Sequence, residues 1–267
     1  MQAIEVQLPR YGDHFKLVSR AWIRDNTVTG QLDFPPYAHL DFAHHFPGKP
    51  LLPGVKKLSL MFQAIKAFCA EATGGKLFPV LTGIPLVRFF NLTKPGGVEI
   101  QANVFQDGIG GVATCTVNAH GKERASAIFT FAMNAEEPPE IILPLPMEQI
   151  DIKVAQGSIR GVFNYQGDEI LPLDHLEAIP FTLVLEALGQ NAVQASCSDA
   201  SLANALFIVT YLRGTVFHGT APRGTLDLHT EVAWTEKRGL VHAAASYGGQ
   251  PIVSGDFGFV ILNPKRA

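Results

Sequence analysis

Residues 44–54 read HHFPGKPLLPG and run directly into VKKLSLMFQAIKAF at 55–68. Histidine is the side chain whose ordinary pKa, about 6.5, lets it take up a proton near neutral pH. His45 sits in a loop that Pro47, Pro50 and Pro53 stiffen, so little entropy remains to be lost in holding its imidazole in place. Gly54 opens the helix that follows, and with Pro53 before it offers a backbone N–H and the positive end of a helix dipole, unobstructed by a side chain. A base and a preorganised donor are two of the parts needed to draw a proton from a carbon beside a carbonyl group. Glu186, in LVLEALGQ at 183–190, supplies a carboxyl among Leu183, Leu185 and Leu188. Desolvation by such neighbours raises a carboxyl's pKa and keeps it an acid at neutral pH. Taken singly, each residue has a plainer reading: a histidine near an apolar segment is most often structural, and a glutamate on an amphipathic helix usually faces water. His44 reads as a neighbour and His218 as a structural residue in a turn.

Two copies of one element order position these residues. The chain of 267 residues divides at AEEPPEIILPLPMEQ, 135–149, whose Pro138, Pro139, Pro144 and Pro146 forbid a helix and suit an extended connector. An offset of 127 residues carries Ser59 to Glu186, Pro53 to Pro180, Gln63 to Gln190, Phe90 to Phe217, Pro95 to Pro222 and Gly97 to Gly224. Beyond that point the offset is 128, pairing Val98 with Leu226, Val104 with Val232 and Phe129 with Phe257, as one inserted residue requires. Each copy begins with strand-like sequence and continues into a helix of about five turns, from Val55 to about Ala72 in the first, with apolar residues at 55, 58, 61, 62, 65, 68 and 69. Strands follow: VEIQANV at 98–104 and LDLHTEV at 226–232 alternate apolar and polar residues with period two. HGK at 120–122 and YGGQ at 247–250 read as the turns into the next strands. The pattern predicts an α+β fold with each long helix packed on an antiparallel sheet. Residues 1–134 form a first domain with His45, and residues 150–267 a second with Glu186.

Composition narrows the setting. With 47% hydrophobic residues the chain can bury a large core, and a net charge of −3 without basic runs argues against nucleic acid as a partner. Cys69, Cys115 and Cys197 are odd in number and widely spaced among small or apolar residues, which fits buried thiols in a reducing cytoplasm better than disulfides or a metal site. The first residues lack a basic start and apolar core, and no apolar run approaches the ~18 residues of a membrane span. A cytoplasmic protein with no membrane association is expected.

HFPGKPLLPGVKKLSLMFQ resembles the active-site signature of the hotdog-fold 3-hydroxyacyl-[acyl-carrier-protein] dehydratases, the FabA/FabZ family. The resemblance covers most of the first copy through Met133 and is fainter in the second, carried by LVLEALGQ and by FHGTAPRG at 217–224. In that family a catalytic acid lies fourteen positions after the histidine. Counted from His45 that position is Ser59, whereas in the second copy it is Glu186, with Pro172 in the histidine's place and Phe181 replacing the helix-entrance glycine. Each copy keeps what the other has lost. The family forms two-fold dimers in which one subunit's histidine faces the other's acid, so the resemblance implies a double hotdog, a pseudo-dimer within one chain, with one composite site of His45 and Glu186. Gln190 keeps the family's position one turn after the acid, as a helper or as a residue bonding helix ends and loops. Lys56 and Lys57 depart from the family's apolar preference just inside the helix, which points to altered packing or to contact with an acidic partner.

The implied reaction is dehydration of a (3R)-hydroxyacyl thioester to the trans-2-enoyl thioester in fatty-acid or polyketide-like biosynthesis, with no metal and no organic cofactor. The implied partner is an acyl carrier protein or a coenzyme A thioester, and homo-oligomers of pseudo-dimers are left open. Arg88, Lys94, Arg213 and Arg223 lie around the equivalent turns of the two copies, where an acidic carrier would dock. Two other classes stay open: a hotdog thioesterase or hydratase acting on coenzyme A thioesters, and a non-catalytic acyl-thioester binder. Fold alone does not separate them.

Overall fold

A computed structural model describes residues 4–7, 20–34, 51–135, 150–155, 158–165, 178–179, 181–197, 205–222, 224–235 and 237–262. His44, His45, Pro47, Pro50, Pro172 and Arg223 lie outside the described residues, as do positions 136–149 of the expected connector. The chain forms two compact units, Met1–Pro144 and Leu145–Ala267.

In the first unit, β1 (Ile4–Gln7), β2 (Arg20–Arg24) and β3 (Thr27–Phe34) precede the long helix α1 (Gly54–Thr73). β4 (Phe78–Phe89), β5 (Gly96–Gln106), β6 (Gly110–Ala119) and β7 (Lys122–Asn134) follow it. The strands pair antiparallel in the order β1-β2-β3-β5-β6-β7-β4. The second unit repeats the scheme with β8 (Ile150–Ala155), β9 (Ser158–Tyr165), the short β10 (Ala178–Ile179), α2 (Phe181–Cys197), β11 (Leu206–Phe217) and the short β12 (Ala221–Pro222). β13 (Gly224–Trp234), β14 (Arg238–Tyr247) and β15 (Gln250–Leu262) complete it. Its main sheet has the order β11-β15-β14-β13-β9-β8, so equivalent strands occupy equivalent places in the two units.

The correspondence extends to the ends of the elements. Gly54 and Phe181, the first residues of the two helices, are 127 positions apart, while β5 and β13, β6 and β14, and β7 and β15 start 128 apart. Gly96 and Gly224 open matching strands with φ of 134° and 125°, a backbone region that favours glycine. The inserted residue therefore lies at position 223, two positions before the 225 that the pairings of Gly97 with Gly224 and Val98 with Leu226 indicate. Both turns into the last strands put two successive residues at positive φ, His120 and Gly121 in one, Gly248 and Gly249 in the other. That is the type I′ geometry whose twist suits a two-residue hairpin.

VEIQANV shows the expected alternation: Val98, Ile100, Ala102 and Val104 are buried between the exposed Glu99 and Gln101. These residues and Phe129 build the core against which Leu58, Met61 and Ile65 of α1 are fully buried, each worth roughly 1.5–3 kcal/mol. α1 ends where the left-handed Gly74 (φ 61°) and Gly75 return their N–H groups to Glu71 O at 3.3 Å and Ala70 O at 2.7 Å, a Schellman-type stop. Periodicity misses one property of α1. Every residue from Lys56 to Cys69 is buried, the three lysines included, although the apolar residues suggest a single buried stripe.

Candidate active site

The entrance of α1 follows from Pro53. Its φ of −57° and ψ of 149° set up the first helical turn, and its ring offers no capping acceptor. The first N–H groups of α1, starting with Gly54, therefore receive no cap from the Pro53 side chain. Gly54 also answers a packing need. A Cβ there would lie 3.1 Å from Cζ of Phe89, so the ring at the end of β4 rests on the bare backbone. In the second unit Phe181 takes this place and meets Phe217 edge-on, ring centroids 5.8 Å apart. The donor that a small residue leaves open in α1 is thus flanked by a large side chain in α2.

Glu186 lies on the second turn of α2, half-buried, between Leu185 (1% exposed) and the fully buried Ala187, with Leu188 also in the core. Burial pushes its carboxyl pKa above the usual 4.5, and the hydrogen bond from Gln190 opposes that shift by favouring the ionised form. Gln190 Nε2 donates to Glu186 Oε1 at 3.0 Å, an i, i+4 contact that fixes the carboxyl's orientation on the helix. The next residue, Asn191, is wholly buried and donates from Nδ2 to Thr230 Oγ1 on β13 at 3.2 Å, anchoring this stretch of helix to the sheet. The arrangement presents an oriented carboxyl whose burial favours the protonated form, suited to giving a proton to a leaving oxygen.

At the matching positions of α1, Ser59 is fully buried and Gln63 is 4% exposed with no partner for Nε2. A serine hydroxyl of ordinary pKa cannot take the acid's role. His45 and its loop lie outside the described residues, so the structure brings together Glu186 and Gln190, and Pro53 with Gly54, but does not describe the imidazole.

The remaining singled-out residues have definite surroundings. His218 Nε2 lies 3.3 Å from Ser254 Oγ, and Arg213 pairs with Asp256 at 3.1 Å, as structural surface contacts do. Arg88 and Lys94 are exposed. Cys69 and Cys115 are free, buried thiols, the first pushed up to about 12 by burial and the second higher still. Among the described residues no cluster of three histidine, cysteine or acidic side chains could hold a metal ion, and no helix is long and apolar enough to cross a membrane. Lys57 and Arg124 are far apart in sequence, and the charge of Arg124 acts on Lys57 because β7 packs near the helix entrance.

No family model matches the chain. Among curated proteins it is 33% identical over 127 residues to a 3-hydroxyacyl-[acyl-carrier-protein] dehydratase FabZ of Thermus thermophilus, covering 45% of this chain and 87% of that one. The FabZ of Alkaliphilus metalliredigens is 35% identical over 103 residues, 34% of this chain and 65% of that protein. Solved structures of similar fold span nearly the whole chain. The dehydratase domain of the CurJ module of curacin polyketide synthase superposes with a TM-score of 0.64 at 14% identity, over 93% of this chain and 98% of that one. The PpsC dehydratase domain of Mycobacterium tuberculosis, in complex with C12:1-CoA, gives 0.58 at 15% identity over 92% and 97%. A Lactobacillus plantarum protein assigned as an oleoyl thioesterase gives 0.62 at 11% identity over 89% and 97%.

Proposed function

The chain belongs to the FabZ family of 3-hydroxyacyl-[acyl-carrier-protein] dehydratases, and from that premise we propose that it removes water from a (3R)-hydroxyacyl thioester at one composite site of His45 and Glu186. His45 takes the proton from C2. The negative charge that builds on the thioester oxygen is met by the Gly54 N–H and the positive end of α1, an interaction typically worth about 3 kcal/mol. Electrons from the broken C2–H bond form the C2–C3 double bond as the C3–O bond breaks, and Glu186 protonates the departing hydroxyl to water. The products are a trans-2-enoyl thioester and water, and the proton on His45 can restore the acid in the next turnover.

The observation that carries this reading is the state of Glu186: burial holds its carboxyl above the usual range, and Gln190 orients it, at the place where the repeat puts the family's acid. Ser59 at the matching place of α1 accounts for one composite site rather than two. The double hotdog, two copies acting as the pseudo-dimer of their own chain, is supported by the matched helix and strand starts of the two units. An acyl chain on a carrier protein or on coenzyme A is the fitting substrate class, within fatty-acid or polyketide-like biosynthesis, in a cytoplasmic setting.

The test is to incubate the protein with a (3R)-hydroxyacyl carrier thioester and its coenzyme A counterpart, following enoyl-thioester absorbance and free thiol together. Elimination raises the first without the second. Release of thiol instead would favour the thioesterase reading, and silence in both channels a non-catalytic binder.

A further inference from the structure

Because α1 and α2 are copies of one element, each shows what the other's positions tolerate. The residue of α2 that corresponds to Lys57 is Val184, an apolar side chain 1% exposed, so the fold accepts an ordinary core residue there. α1 instead buries an amine at this point, leaving 4% of Lys57 exposed. Nζ sits 5.6 Å from the centroid of the Phe89 ring. Among the described residues it has no carboxylate and no hydrogen-bond acceptor. The ring face holds the ammonium in place electrostatically while leaving its N–H donors uncommitted.

A second cation lies close by, since Arg124 O accepts from Phe90 N at 3.0 Å, next to the Phe89 ring that Lys57 faces. The nearby charge of Arg124 adds to burial in lowering the Lys57 amine to about 8. Arg124 is fixed by Nε donating to Ala119 O at 3.1 Å and one terminal nitrogen donating to Leu92 O at 3.3 Å, which leaves its other terminal nitrogen for a ligand. Thr93 follows Leu92, is fully buried, and has an Oγ1 without a hydrogen-bond partner. Its carbonyl accepts from Leu52 N at 2.8 Å, which ties this segment to the chain two residues before α1 begins. The region therefore gathers an ammonium and a guanidinium close to a segment whose buried hydroxyl has no partner, and among the described residues neither cation forms an ion pair.

We propose that Lys57, Arg124 and Thr93 form a binding site for a phosphate-type oxyanion at the entrance of α1. Such an anion accepts from several converging donors at once, and it offsets the repulsion between two cations that an apolar residue at position 57 would not create. This inference does not depend on the dehydratase reading, since Lys57, Arg124 and Thr93 have no part in that reaction.

Reductive methylation of the amines, read lysine by lysine by peptide mass spectrometry, tests it on the whole chain. Inorganic phosphate and sodium chloride are compared at equal ionic strength. At about ten times its dissociation constant, phosphate leaves about one site in eleven open and slows labelling of Lys57 by about tenfold. The exposed Lys76 and Lys122 keep their rates. Pantetheine 4′-phosphate forms a second arm: protection by both probes shows a site that takes phosphate monoesters, and protection by phosphate alone shows a site for the free ion. Equal Lys57 labelling in phosphate and chloride would overturn the proposal. Arg124→Met should return the phosphate-to-chloride ratio at Lys57 to about one, and full protection persisting in that variant would overturn the two-cation site.

Discussion

Replacing Lys57 with methionine keeps the aliphatic stem in its packing and removes the buried charge. The amine falls from 10.5 to about 8 on folding, mainly through burial and then through Arg124. At 1.36 kcal/mol per pH unit this amounts to about 3 kcal/mol of destabilisation while the group is charged in both states, that is, below pH 8. Between pH 8 and 10.5 the unfolded chain binds more protons than the native one, so the wild type gains stability as pH rises through that window. Lys57→Met is therefore expected to be more stable than the wild type near pH 7, by about 1–3 kcal/mol, with the gap closing toward pH 10. Urea unfolding followed by circular dichroism, in phosphate-free buffer so that no bound oxyanion offsets the charge, measures both proteins at each pH. Other titrating groups are common to the two and cancel in the difference. A variant less stable than the wild type near pH 7, or a gap that does not change with pH, would refute the reasoning.

Gln190→Leu removes a hydrogen bond that favours the ionised form of Glu186, so the alkaline limb of kcat/KM should move to higher pH; a limb that stays or moves down would contradict Glu186 as the acid. Glu186→Gln should be more stable than the wild type at neutral pH. The folded carboxyl's raised pKa gives a contribution present below 4.5 and lost as pH rises through the folded value, so the two proteins should converge in acid when compared by urea unfolding. Cys69 and Cys115 should react with a disulfide reagent only after unfolding, since burial keeps both thiols protonated. A fast native phase from either would show that it is reached by solvent.

Local signals in the sequence were enough to frame the elements. Pro53 and Gly74 bracket α1 because a proline cannot continue a helix backward and a glycine accepts the left-handed stop. Val98 through Val104 alternate because one face of β5 covers the helix and the other meets solvent. Long-range packing set the rest. The burial of Lys56, Lys57 and Lys66 is invisible to a pattern that marks only apolar residues, and it shows in the fold because both faces of α1 are covered. The fit of Gly54 against Phe89 joins residues 35 positions apart, and the approach of Arg124 to Lys57 joins β7 to the helix entrance. The placement of the inserted residue at 223 needed matching backbone angles at Gly96 and Gly224, since neighbouring glycines make the sequence alone ambiguous. For the site, Glu186 lies half-buried among apolar neighbours and bonded to Gln190. The proline loop with His45 is read from its motif.

The composite site is tested most directly by enoyl-thioester formation in His45→Ala, Glu186→Gln and Ser59→Ala. General acid–base groups contribute about 10²–10⁴-fold, so each of the first two variants is expected to lose at least about 99% of turnover, while Ser59→Ala stays close to the wild type. Retention of roughly half the activity by either of the first two would reveal two separate sites instead of one shared site, and damage from Ser59→Ala equal to that from Glu186→Gln would contradict the account.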